Sequence, residues 1–158
     1  MEVPGFARWE ESVSAELKTD PLWRMKVYRL SLFLGTIAWR DVTKLSDDKR
    51  TVATADQLYR AIGSIGANIA EGYSRGSGKD RAKYYEYALG SARESRHWYA
   101  QSEAVLEKHV VEHRFDLLSQ IIKLLLTVTP VERTRYLKEA GIDYEVSDSL
   151  DGSIPWTD

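Results

Sequence analysis

The amino-acid sequence predicts an all-α protein: an antiparallel up-down four-helix bundle with a short extra helix at its C-terminal end. Three observations carry this expectation. No segment alternates apolar and polar residues with a period of two over a useful length. Long stretches instead repeat apolar residues at helical spacing, as in a helix with one buried face. Two cap-plus-proline pairs, Asp20-Pro21 and Thr129-Pro130, mark helix starts. Long helices joined by short turns make antiparallel neighbours.

Residues 1–19 read as an N-terminal tail with one helical turn around residues 9–17. The bundle occupies residues 20–128. Its first helix runs over residues 20–45, with Met25, Leu32 and Trp39 at heptad spacing on one side, and Ser46-Asp47-Asp48 breaks it. The second starts near Thr54 or Asp56 and ends about Ser74, before the turn Arg75-Gly76-Ser77-Gly78. A third helix over residues 79–110 carries Tyr84, Tyr85, Tyr87, Trp98 and Tyr99. The fourth, residues 112–128, repeats Leu117, Leu118, Ile121, Ile122, Leu125 and Val128. Residues 129–158 read as a short helix over 131–140 that stops at Gly141, then a flexible acidic tail.

With 158 residues the chain suits one domain with a proper core. There is no cysteine, which excludes disulfides, thiolate zinc sites and cysteine nucleophiles. The acidic N-terminal stretch is no signal peptide, and the apolar run over residues 30–39 is too short to span a bilayer. A soluble, cytoplasmic protein is expected. The net charge of −2 hides a division: residues 21–100 hold 14 basic against 8 acidic residues, so the remainder is acidic. A solvated helical surface explains this. The alternative is a basic face toward an anionic partner such as RNA.

The second helix is the most informative segment. On a helical wheel, Leu58, Ile62, Ile65 and Ile69 form one narrow stripe, a seam for the core. Gly63, Gly66, Ala67 and Ala70 form a second side that admits a neighbouring backbone. Each interior glycine costs about 1 kcal/mol of helix propensity relative to alanine, so tight packing is expected to compensate. The third side is polar: Gln57, Arg60, Ser64, Asn68 and Glu71. Short polar residues such as Ser64 and Asn68 are poor choices for a plain solvated face and suit a hydrogen-bonded network between helices or subunits.

The run from Arg60 to Tyr73, with Arg75, Ala88-Leu89-Gly90-Ser91 and Glu94, resembles the signature of a bacterial four-helix-bundle family. Its members are often encoded in intervening sequences of large-subunit ribosomal RNA genes and were once mislabelled as ribosomal proteins. The resemblance covers roughly residues 22–128. It implies an antiparallel bundle assembled into a ring-like homo-oligomer, typically a pentamer. A relative, the accessory protein of diversity-generating retroelements, binds nucleic acid and the reverse transcriptase. Two departures stand out: Gly66 occupies a position where the family usually has proline, and this chain lacks the strongly basic character of the retroelement proteins.

The expected function is therefore non-enzymatic assembly, with Arg60, Ser64, Asn68, Glu71, Ser91 and Glu94 as interface or polar-network residues. Partners are other copies of the chain, or in the alternative RNA or a nucleic-acid-processing protein. Arg75, Lys79, Arg81 and Lys83, near a helix N-terminus, are the anion-binding candidates. No cofactor, metal or membrane is implied. His109-Val110-Val111-Glu112-His113 spells the zinc-protease pattern H-x-x-E-H, but it falls where a loop is expected and reads as solvated histidines. Gly76-Ser77-Gly78-Lys79-Asp80 lacks the first glycine, the Ser/Thr and the strand of a phosphate loop. Glu71 and Glu94 have no Glu-x-x-His companion for a di-iron site, and Glu71 is expected to pair with a donor such as Arg60 or Arg75, or with a helix N-terminus.

Overall fold

The computed structural model describes residues 5–139. Two short helices, α1 (Phe6–Ser12) and α2 (Ala15–Thr19), precede a 3-10 turn at Pro21–Arg24 and four long helices, α3 (Lys26–Ser46), α4 (Val52–Tyr73), α5 (Gly78–Ala100) and α6 (Lys108–Glu139). Among the described residues there is no strand. The all-α expectation stands. The long helices pack as a bundle: α3 on α4, α4 on α5, α5 on α6, and α6 back on α3.

The core grows out of the repeats. In α3 the buried positions Leu30, Leu34, Ile37 and Leu45 recur at helical spacing; in α4 the seam Leu58, Ile62, Ile65 and Ile69 is buried as expected. Leu117, Leu118, Ile121, Ile122, Leu125 and Val128 of α6 close the same core. Each fully buried aliphatic side chain contributes about 1.5–3 kcal/mol. None of the helices is long and apolar enough to cross a membrane, among the described residues.

Several boundaries differ from the sequence reading. Asp20 does cap, its carboxylate accepting from the Leu22 amide at 2.8 Å, but it caps a single 3-10 turn and not a long helix. Met25 is then extended (φ −74°, ψ 105°), and α3 starts only at Lys26. The segment 6–19, expected as a tail, is largely helical, and its α1 packs on α3. Trp9 is buried, stacks with Phe6, lies 5.4 Å from the Phe33 ring, and donates its indole N–H to Thr36 Oγ1 at 3.2 Å.

The third bundle helix stops at Ala100 instead of continuing to residue 110. There Ser102 is fully buried, its hydroxyl donates to the Trp98 carbonyl at 2.7 Å, and the next turn tucks Leu106 into the core. Apolar residues serve this turn as well as they would a helix, so the pattern runs on through it. The fourth helix does not break at Thr129-Pro130: α6 continues through Pro130 to Glu139. Proline removes one hydrogen bond, to the Leu126 carbonyl. Leu126 and Pro130 line an open cleft where water can serve that carbonyl, and Thr129 Oγ1 bonds the Leu125 carbonyl at 2.7 Å. The expected stop at Gly141 and the acidic tail lie outside the described residues.

Candidate functional site

α4 presents two contrasting sides beside its core seam. Its small-residue side faces a groove shared with α3, about 580 Å³ in volume, floored by Gly35, Gly63, Gly66 and Ala67 and walled by Trp39 and Tyr59. Gly66 is where the chain's own helices touch: a Cβ there would lie 2.9 Å from Ser31 Oγ. At Gly35 and Gly63 a Cβ would meet nothing within 4 Å. Trp39, predicted with Met25 and Leu32 on one helical side, is 60% exposed, and Tyr59 is 46% exposed. Their rings meet edge to face at 5.8 Å across the groove. The exposed aromatics beside the small residues form an apolar surface.

The polar stripe of α4 makes its hydrogen bonds mostly within its own helix. Asn68 Nδ2 donates to the Ser64 carbonyl at 2.8 Å, and Arg60 pairs with Asp56 at 3.0 Å. Glu71 pairs with Arg75, one of its expected partners, and Arg75 also donates to the Tyr84 hydroxyl at 2.7 Å. The hydrogen bond to Glu71 raises the Tyr84 pKa. On α5, Ser91 Oγ donates to the Tyr87 carbonyl at 3.1 Å, while Glu94 accepts from the Trp98 indole at 3.2 Å. Within one chain, then, the stripe reaches α5 through Glu71, by way of Arg75 and Tyr84.

A buried polar centre has no counterpart in the sequence reading. Asp41 of α3 accepts from the Tyr99 hydroxyl (α5) at 2.8 Å and from Arg114 (α6) through Nε at 2.8 Å and Nη2 at 3.1 Å. All three residues are buried. Burial and the Asp41 carboxylate push the Tyr99 pKa well up. Burial opposes the Arg114 charge, but its bonds to Asp41 outweigh that and raise its pKa. The signal available in the sequence is that both are charges at core register, Asp41 between Ile37 and Leu45 and Arg114 between Val111 and Leu118. A two-pronged Arg–Asp contact with a tyrosine fixes how three helices align.

The profile of the 23S rRNA-intervening sequence protein family matches residues 24–127, the span from the end of the 3-10 turn through most of α6. The chain belongs to that family. A solved structure, described as a protein of unknown function from the S23 ribosomal protein family of Bacteroides thetaiotaomicron VPI-5482 at 1.70 Å resolution, is similar in fold. Its TM-score is 0.61 at 24% identity, over 65% of this chain and 97% of that one. No curated protein matches.

In this intervening-sequence protein the basic candidates around the start of α5 are engaged internally. Arg75 serves Glu71 and Tyr84 and lies over the Tyr84 ring at 4.6 Å. Arg81 pairs with Glu132 at 2.7 Å and donates to the Arg75 carbonyl at 2.8 Å; Lys83 lies 5.9 Å from the Tyr87 ring centroid, and Lys79 is exposed and also has a partner. The helix start itself is self-capped: Ser77 Oγ accepts from the Asp80 amide at 3.2 Å and donates to the Asp80 carboxylate at 2.8 Å. Ser77 and Asp80 therefore occupy the position an anion would take.

His109 and His113 of the H-x-x-E-H match fall in the first turns of α6, not in a loop. His109 lies 3.4 Å from Glu107, and His113 Nδ1 lies 2.7 Å from Arg114 Nη1. Desolvation, then the neighbouring Arg114 charge, lowers the His113 pKa. Among the described residues no group of three His, Cys, Asp or Glu side chains is placed to hold a metal ion.

Proposed function

We propose that this chain is a non-enzymatic assembly module, an up-down four-helix bundle that closes with further copies of itself into a ring, as a pentamer. The supporting observation is the α3–α4 groove. Gly35 and Gly63 leave open space in helix interiors, at a cost of about 1 kcal/mol each that no contact among the described residues offsets. Trp39 and Tyr59 stand exposed beside them. A helix of a second copy laid on this face would bury the aromatics and use the space. The polar stripe Arg60, Ser64, Asn68 and Glu71 borders the same face of α4 and would flank the joint, with Ser91 and Glu94 of α5 as further candidates. This moves the expected inter-subunit surface from the second and third bundle helices toward α3 and α4.

Light-scattering chromatography tests the reading. Wild type is expected at several times the monomer mass. Ala67→Glu puts a charge at an exposed groove position, so it should give monomer with an unchanged helical melt. Monomeric wild type at micromolar concentration, or assembled Ala67→Glu, overturns it.

A second reading, structured-RNA binding, rests on exposed Tyr87 with Lys83 near its ring and on the Arg75–Tyr84 stack. It predicts a gel shift that weakens steeply with salt. No shift at low salt removes it.

A further inference from the structure

Four segments far apart in the sequence converge at one end of the bundle. Arg24 of the 3-10 turn, Tyr73 at the end of α4, Arg81 in the first turn of α5, and Glu132 and Arg135 near the end of α6 line one pocket of about 480 Å³. The three arginines are brought together by the fold, not by a basic run.

Three guanidinium groups around one cavity repel each other, and the repulsion is stronger where water is excluded. Glu132 offsets one of them. It is 4% exposed; its Oε2 lies 2.7 Å from Arg81 Nε and its Oε1 3.4 Å from Arg135 Nη1. Arg81 is further fixed by the Arg75 carbonyl at 2.8 Å. Among the described lining residues one carboxylate stands against three guanidinium groups, a formal charge of +2. Tyr85, also at the wall, adds no negative charge: burial first, then the Glu132 charge, push its phenol pKa up, and its hydroxyl lies 3.8 Å from Met25 Sδ.

We propose that this pocket binds a phosphate-type dianion, either inorganic phosphate or the phosphate monoester of a small molecule. A charge of +2 matches a dianion and exceeds what a single carboxylate requires. The planar fork of arginine fits phosphate oxygens in pairs. The Glu132 carboxylate acts as the scaffold: it holds Arg81 and Arg135 at the wall, while Arg24 adds its charge from the opposite segment. The volume lies within the range of small-ligand pockets, about 300–1,000 Å³, and leaves room beside Tyr73 for an organic body. The site is distinct from the start of α5, where Ser77 and Asp80 satisfy each other.

Calorimetric titration of the whole chain at constant ionic strength tests this, with inorganic phosphate in one arm and adenosine monophosphate in the other. Arg24 and Arg135 are exposed, so Arg24→Ala and Arg135→Ala should fold, which circular dichroism checks. Each should weaken binding by about tenfold or more, the loss of one charge-assisted contact. Lys44→Ala, an exposed lysine beside Glu107 and outside the pocket, should leave affinity within about twofold, as for a screened surface charge. Tighter binding of the nucleotide assigns an organic body to the Tyr73 wall; equal affinities assign the phosphate group alone. Absence of heat from both probes at millimolar concentration overturns the proposal, and so does equal affinity in all variants.

Discussion

Gly72 and Gly63 lie on the same helix, α4, and meet opposite surroundings. A Cβ on Gly72 would fall 2.8 Å from Tyr84 Cβ and 2.9 Å from Tyr85 Cε1, so α4 and α5 can approach as they do only because the side chain is missing. A Cβ on Gly63 would touch nothing within 4 Å, and the same holds for Gly35 across the groove. Helix propensity disfavours all three alike. Packing compensates for this at Gly72 inside one chain; at Gly63 and Gly35, and at Gly90 of α5, no described residue does so. The α4–α5 contact at Gly72 is closed within a single chain, whereas the α3–α4 groove is open among the described residues.

The largest test strikes the buried polar centre that joins α3, α5 and α6. Asp41→Ala leaves Arg114 buried without its carboxylate, and about 3–5 kcal/mol of stability should be lost. A fall in the urea midpoint at constant slope reads this; a loss below about 1 kcal/mol would remove the triad from the account of helix alignment. Next comes Gly72→Ala, where the added methyl meets the base of Tyr84 and cannot be relieved by a rotamer change. About 1–3 kcal/mol should be lost, again read from the urea midpoint.

Gly63→Ala should change stability in the opposite direction, raising that of the isolated chain by up to about 1 kcal/mol. Thermal melts on a background held monomeric by Ala67→Glu isolate that gain; destabilisation at both glycines would erase the contrast. The smallest effect concerns His113, at the rim of the Asp41 centre. Its folded pKa is lowered, so its contribution is present above the unfolded value of about 6.5 and is lost as pH falls. Wild type should lose slightly more stability than His113→Gln between neutral pH and pH about 5; identical pH profiles would discount the group.

The bundle helices and the α4 seam are legible in the sequence because apolar periodicity is a local signal, and Leu58, Ile62, Ile65 and Ile69 obey it without interruption. Thr129-Pro130 misleads because a proline ends a helix only when the freed carbonyl has no other partner, which depends on whether Leu126 borders solvent. Asp41 shows only its core register, because a charged residue reads as solvated until its partners, distant in sequence on α5 and α6, are known. The groove is half legible. Its α4 floor shows as a stripe of small residues that admits a neighbour, but heptad spacing groups Trp39 with Met25 and Leu32. Only the packing of α3 on α4 shows that Trp39 faces outward. The arginine pocket is illegible for the same reason as Asp41, since Arg24, Arg81 and Arg135 share no motif.

One consequence concerns α1. Trp9 bonds Thr36, and Thr36 is itself part of the groove lining, so α1 stands along one margin of the face proposed for a second copy. The number of copies in a closed ring is set by the tilt between neighbours, not by the strength of the joint. A fence along one margin limits that tilt. Shortening the chain to start at residue 20 would then change the symmetry of the particle before it changed whether a particle forms, and would leave the Phe33 ring uncovered as a new adhesive spot.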